Sequence, residues 1–169
     1  MRAQALADDL GKRFPENTIV QFNYLPALRA KLALNKGNAS EAIESLRAAA
    51  PYELGASTNC PAKWTTMYPV FVRGEAHLAA GQGSEAAAEF QKILGHPGIV
   101  LNQPIAALAH LGRALAYVLQ GNVAKAKAAY QDFLTLWKNA GPDIPILKQA
   151  QAEYAKLRWA AHEELCARV

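Results

Sequence analysis

Cysteine is nearly absent from this chain: Cys60 and Cys166 are the only two among 169 residues. They stand far apart and in no C-x2-C or similar spacing, so the sequence carries neither a disulfide framework nor a zinc-ligand set. Two free thiols in a reducing compartment, the cytoplasm, are the expectation. Long apolar runs are missing too. None approaches the ~18 residues of a membrane span, and the opening MRAQALADDLGKRFP carries acids where a secretory signal would carry its apolar core. Charge of one sign is not concentrated anywhere. The net charge of +4 comes from Lys and Arg interleaved with acids, as in KRFPE and QDFLTLWK, without the basic stripe of a nucleic-acid surface. Val, Ile and Thr are thin beside Ala, which disfavours strands.

What is present is helix-forming and core-forming. Hydrophobic residues make up 51% and charged residues 19% of the chain, too apolar for a disordered polymer and long enough for a sizeable core. An all-α domain is predicted.

One phrase occurs three times. KGNASEAIESL, AGQGSEAAAEF and QGNVAKAKAAY align on Gly37, Gly81 and Gly121. Five residues after each glycine stand Ala42, Ala86 and Ala126; nine after, Leu46, Phe90 and Tyr130; twelve after, Ala49, Ile93 and Phe133. Seven before stand Ala30, Gly74 and Ala114, and four before, Ala33, His77 and Tyr117. Steps of three and four mark one helical face. Each unit therefore reads as helix, glycine turn, helix, with the glycine taking the positive φ that ends the first helix. Asn38 and Glu41 have the spacing of a capping box. A single hairpin cannot bury both its faces, so the units are expected to stack.

The pattern of small residue, large residue, Gly, Ala and aromatic resembles the tetratricopeptide repeat. That resemblance covers nearly all of 1–169 and implies a right-handed α-solenoid of helical hairpins at 19–50, 64–95 and 104–138. A partial upstream helix at 1–14 and a capping helix at 143–166 would flank them. The glycines are spaced more widely than the ~34 residues of an uninterrupted repeat, and the Pro-, Gly- and Asn-rich stretches Pro51–Lys63 and Gly95–Pro104 are read as the loops that account for it. Leu6, Leu10 and RFPEN resemble the end of an earlier repeat, so Met1 reads as the start of an excised piece. Leu147, Ala150, Tyr154, Leu157, Ala161 and Leu165 form the capping stripe, with Trp159 off it. The run from Leu108 to Leu157, with AAPYELG and AAAEFQKIL before it, is further similar to the C-terminal tetratricopeptide regions of bacterial eukaryotic-like serine/threonine kinases. No glycine-rich ATP loop, HRD or DFG occurs, so any kinase domain would lie outside this chain.

No catalytic residue is expected. Gly81-x-Gly83-x-x-Ala86 lacks the preceding strand that a dinucleotide loop requires. His77, His96, His110 and His162 show no metal-ligand spacing. Cys60 sits in a loop without a local nucleophile signature, and Asp8-Asp9 and Glu163-Glu164 diverge on helical surfaces. The Asn38-Ala-Ser40 sequon is read as a turn and cap. No cofactor or metal is predicted.

The expected function is binding of a protein or peptide, with self-association into a homodimer as the alternative. The resemblance places the ligand groove on the first helix of each hairpin, thirteen, ten, nine, six and three residues before each glycine. The candidates are Tyr24, Leu28 and Lys31; Tyr68, Phe71 and Glu75; and Leu108, Leu111 and Leu115, with Ala27, Leu34, Val72, Leu78, Gly112 and Val118 at the remaining positions. The carboxylate clamp that grips an EEVD-type peptide needs Lys, Asn and Arg where Ala27, Val72, Leu108 and Gly112 stand, so that ligand is not expected. Arg113 occupies a position where the repeat pattern places a core Leu, and it predicts either a rotated third hairpin or an outward-reaching side chain.

Overall fold

In the computed structural model, residues 2–55 and 65–166 are described, with side chains through residue 157. Cys60, Trp159, Ala161, His162, Glu163, Glu164, Leu165 and Cys166, weighed above, lie outside the described side chains. Among the described residues there is no strand, and the molecule is all-helical.

The helices are α1 (Arg2–Arg13), α2 (Leu25–Leu34), α3 (Ala39–Ser45), α4 (Tyr68–Ala79), α5 (Gly83–Leu94), α6 (Pro97–Val100), α7 (Ile105–Leu119), α8 (Val123–Leu136) and α9 (Pro145–Cys166). A π-helical turn, Val20–Tyr24, runs directly into α2. Pro26 explains it: the ring lacks the N–H that would close a regular turn, and the Leu25 N–H instead reaches back five residues to the Val20 carbonyl. The Asn17 Oδ1 caps this helix start by accepting from the Val20 N–H at 3.0 Å.

The three glycine turns share one geometry. Gly37, Gly81 and Gly121 have φ of 80°, 72° and 69°, as the repeated phrase predicts. After each, the next residue's N–H bonds the carbonyl five back: Asn38 to Ala33 at 3.0 Å, Gln82 to His77 at 2.9 Å and Asn122 to Tyr117 at 2.9 Å. This is the Schellman closure of a helix end. The same residue then accepts the first N–H of the following helix, from Ala42, Ala86 and Ala126. One residue thus stops one helix and starts the next, and the paired helices must run side by side.

The caps differ in detail. Asn122 Oδ1 accepts from the Lys125 N–H at 3.1 Å. The expected capping box at Asn38 does not form: its Nδ2 donates to Glu41 Oε2 at 3.0 Å, and no side-chain bond to the backbone is made. The two side chains satisfy each other in place of the helix end. The following helix is also shorter than expected. It ends at Ser45, and the chain continues as a 3-10 stretch, Arg47–Tyr52, that contains Pro51.

Packing runs between neighbours: α2 against α3 and α4, α4 against α5 and α7, α5 against α7, α7 against α8, and α8 against α9. Every large or small residue predicted five, nine and twelve positions after the glycines is buried, from Ala42, Leu46 and Ala49 to Ala126, Tyr130 and Phe133. Phe90 explains how α4, α5 and α7 come together. A Cβ placed on Gly74 would lie 2.7 Å from its ring and one on Gly112 2.4 Å, so the ring sits between two glycines on two helices.

The stretch 95–104, read above as a loop, contains α6, which delivers Val100 into the core. It leaves through Leu101 at φ 54°, ψ −136°, a conformation costing a side chain roughly 1–3 kcal/mol.

Candidate functional site

The face predicted to bind begins at the end of the π-helical turn and continues on α2. Tyr24 and Leu28 lie a helical turn apart and are exposed, 37% and 46% respectively. Lys31, a further turn on, donates from Nζ to both oxygens of Glu75 on α4, at 2.7 and 2.8 Å. The structure therefore joins two predicted residues 44 positions apart into one bidentate pair. The side chains remain 48% and 29% exposed.

On α4 the candidates are half-buried. The Phe71 ring meets Phe90 edge-on, with centroids 5.8 Å apart and planes at 65°. The Tyr68 hydroxyl lies 3.4 Å from Gln103 Oε1. Val72, on the same predicted face, is buried with Ala30, Ala33 and Leu46 and is not available to a ligand.

The third part of the face departs from expectation. Leu111 is only 6% exposed and packs with Tyr130, Phe133, Leu147 and Ala150 of α8 and α9. Gly112 lies under Phe90. With Gly112 turned to α5, Leu111 falls about 100° round the helix, which takes it away from the open face. Leu108 and Leu115 are half-buried against that same cluster. The exposed aromatic and aliphatic candidates are Tyr24 and Leu28 together with Val118 of α7, at 41%, while Tyr68, Phe71, Leu108 and Leu115 are alike half-buried.

Arg113 is mostly covered, its side chain 18% exposed and its Nε buried without a hydrogen-bond partner among the described residues. Its guanidinium donates to Gln91 Oε1 at 2.7 Å on α5 and to Asp132 Oδ2 at 3.2 Å on α8. His110 Nδ1 stands 3.4 Å from the same Asp132 oxygen. Burial, and then the Arg113 charge, hold the His110 imidazole below its ordinary pKa of 6.5.

A second polar group was not legible in the sequence. Glu53, fully buried, receives Arg73 at 2.6 and 3.0 Å and Lys92 at 2.7 Å. Arg73 also bonds Glu89 at 2.8 Å. Burial alone would raise the Glu53 carboxyl, but its bonds to Arg73 and Lys92 outweigh that and hold it below 4.5. Burial works against the Arg73 charge as well, and the carboxylates overcome it, raising its pKa. Thr66 Oγ1 lies 2.7 Å from the carbonyls of both Glu53 and Gly55, and Asn23 Nδ2 donates to the Thr66 carbonyl at 2.8 Å. Its trace in the sequence is Arg73, eight before Gly81, with Glu89 and Lys92 three residues apart on α5; Glu53 lies on neither helix. The Glu53 carboxylate is fully enclosed and bonded on both oxygens, whereas the Lys92 side chain stays 33% exposed and Asn23 Oδ1 is buried without a hydrogen-bond partner among the described residues.

The remaining polar residues are locally occupied. His77 Nδ1 donates to Gln82 Oε1 and His96 Nδ1 to the Lys92 carbonyl, both at 2.7 Å. Tyr130 donates to Glu153 at 2.8 Å, its pKa raised by burial and by that carboxylate. Gly83 sits where a Cβ would meet the Ala116 carbonyl at 2.8 Å, so the GxG spacing serves close helix packing. Among the described residues no group of three or more His, Cys, Asp or Glu could hold a metal ion, and no helix is long and apolar enough to cross a membrane.

No family model, curated protein or solved structure matches this chain.

Proposed function

We propose that this chain is a non-catalytic module that binds a protein or peptide, built as a right-handed α-solenoid of three tetratricopeptide hairpins with a capping helix. The reading is supported by three glycine turns of one geometry and by helices that pack on their neighbours in order, the pattern of stacked repeats. The observation that carries the binding function is the exposure of Tyr24 and Leu28 beside the Lys31–Glu75 pair and the half-open Tyr68 and Phe71. Apolar side chains in a contiguous open patch mark an interface. The kinase-like run suggests the C-terminal interaction region of a larger bacterial signalling protein, working in the cytoplasm.

The test is selection of binding peptides from a displayed random library, followed by titration against Leu28→Glu. Leu28 is exposed, so helical content by circular dichroism should not change. A loss of about tenfold or more in affinity is expected. Selected peptides that bind Leu28→Glu and Phe71→Glu as well as the parent would place the interface elsewhere. Sedimentation at several concentrations tests the alternative: a dimer dispersed by Leu28→Glu would replace ligand capture with self-association.

A further inference from the structure

We propose that Glu75 is a specificity element of this face: by closing on Lys31 it leaves the face electrically neutral, so that it accepts a peptide segment with an uncharged apolar side and refuses acidic ones. The inference rests on the binding function proposed above and names the ligand's chemistry.

Among the nine candidate residues only Lys31 and Glu75 are charged. Both carboxylate oxygens are bonded to the one ammonium, at 2.7 and 2.8 Å. A half-exposed pair of this kind contributes little to fold stability, so its effect is felt by whatever approaches. An acidic segment arriving here would lose hydration from its carboxylates and find the ammonium's charge offset by Glu75, with two of its three N–H donors already used. An uncharged apolar segment loses nothing by the pairing and covers Leu28 and Phe71. Specificity of this kind depends on what is repelled as much as on what is held. Removing Glu75 would free a lysine 48% exposed beside an apolar patch, the arrangement that favours an acidic ligand.

Two synthetic fluorescent peptides test this. Both present leucines at helical spacing with glutamines elsewhere; one is capped at both ends and uncharged, and the other ends in a run of glutamates with a free carboxylate. Anisotropy titrations at low and physiological salt are made on the parent, on Glu75→Gln and on the double variant Lys31→Gln/Glu75→Gln, each checked for helix content. The parent should prefer the neutral peptide by about tenfold or more. Glu75→Gln should shift the ratio of the two affinities toward the acidic peptide by a similar factor, most strongly at low salt. The double variant should return the ratio to that of the parent. A parent that binds the acidic peptide as tightly as the neutral one, or a Glu75→Gln variant with an unchanged ratio, overturns the role of Glu75 and leaves the binding function standing. Failure of the parent to bind either peptide overturns the docking function, and this inference with it.

Discussion

Between Gly74 and Gly112 the ring of Phe90 leaves no room for a methyl group, since a Cβ on either glycine would come within 2.7 Å of it. Gly112→Ala should therefore destabilise the fold by about 1–3 kcal/mol through overpacking, and Phe90→Ala by about 3–5 kcal/mol through the void it leaves. Denaturant titration reads both. Phe90, Ala86 and Ile93 were legible from their spacing alone, because steps of four and three after a glycine stop fix which side of a helix is covered. Gly112 was not. The tetratricopeptide resemblance put it on the open face, and only the position of a ring from another helix reveals that it is a seat. Leu111 was misplaced for the same reason, as the neighbour that this seating turns inward. Leu101, at positive φ, left no trace in the sequence either.

At the scale of elements, the polar junctions were the hidden part. The position eight before each glycine is arginine in all three units, Arg29, Arg73 and Arg113. Two of them join their own hairpin to what precedes it: Arg73 links Glu53 with Glu89, and Arg113 links Gln91 with Asp132. Arg29 is exposed, with Gly11 of α1 nearby. The arginine recurrence is visible in the sequence, but its acidic partners lie at unequal separations, one of them in a stretch that reads as loop, so periodicity could not pair them. Glu53→Ala should cost about 3–5 kcal/mol at neutral pH, since it leaves Arg73 and Lys92 short of a buried counter-charge.

The same junctions set the acid response. Glu53 has a folded pKa below 4.5, so its contribution is present above 4.5 and is lost as pH falls through the folded value. His110 is held neutral, its folded pKa below 6.5; the unfolded chain takes up that proton more readily, so stability falls as pH drops below 6.5. Melting temperature should decline in two steps on acidification. Glu53→Gln should remove the lower step and His110→Gln the upper, as followed by circular dichroism across pH.

For the whole molecule, packing between neighbours implies that damage stays local. Leu46 is buried with Ala30, Ala42 and Val72 where α2 and α3 meet α4. Leu46→Ala, expected to cost about 2–5 kcal/mol, should speed amide exchange in α2 and α3 well before α7 and α8, which share no cluster with it. Uniform acceleration along the chain would show a single cooperative unit instead. The helices and their turns could be read from three repeated phrases; of the residues assigned to the open face, Tyr24, Leu28 and Val118 are exposed, whereas the burial of Leu111 depends on contacts made by α8 and α9, which its own helix does not reveal. The seat of Phe90 has one more consequence, for descent. Positions 74, 90 and 112 cannot vary singly: a lineage that gained alanine at 74 or 112 would be expected to carry a smaller side chain at 90, so the three should be inherited as one character although they sit on three helices.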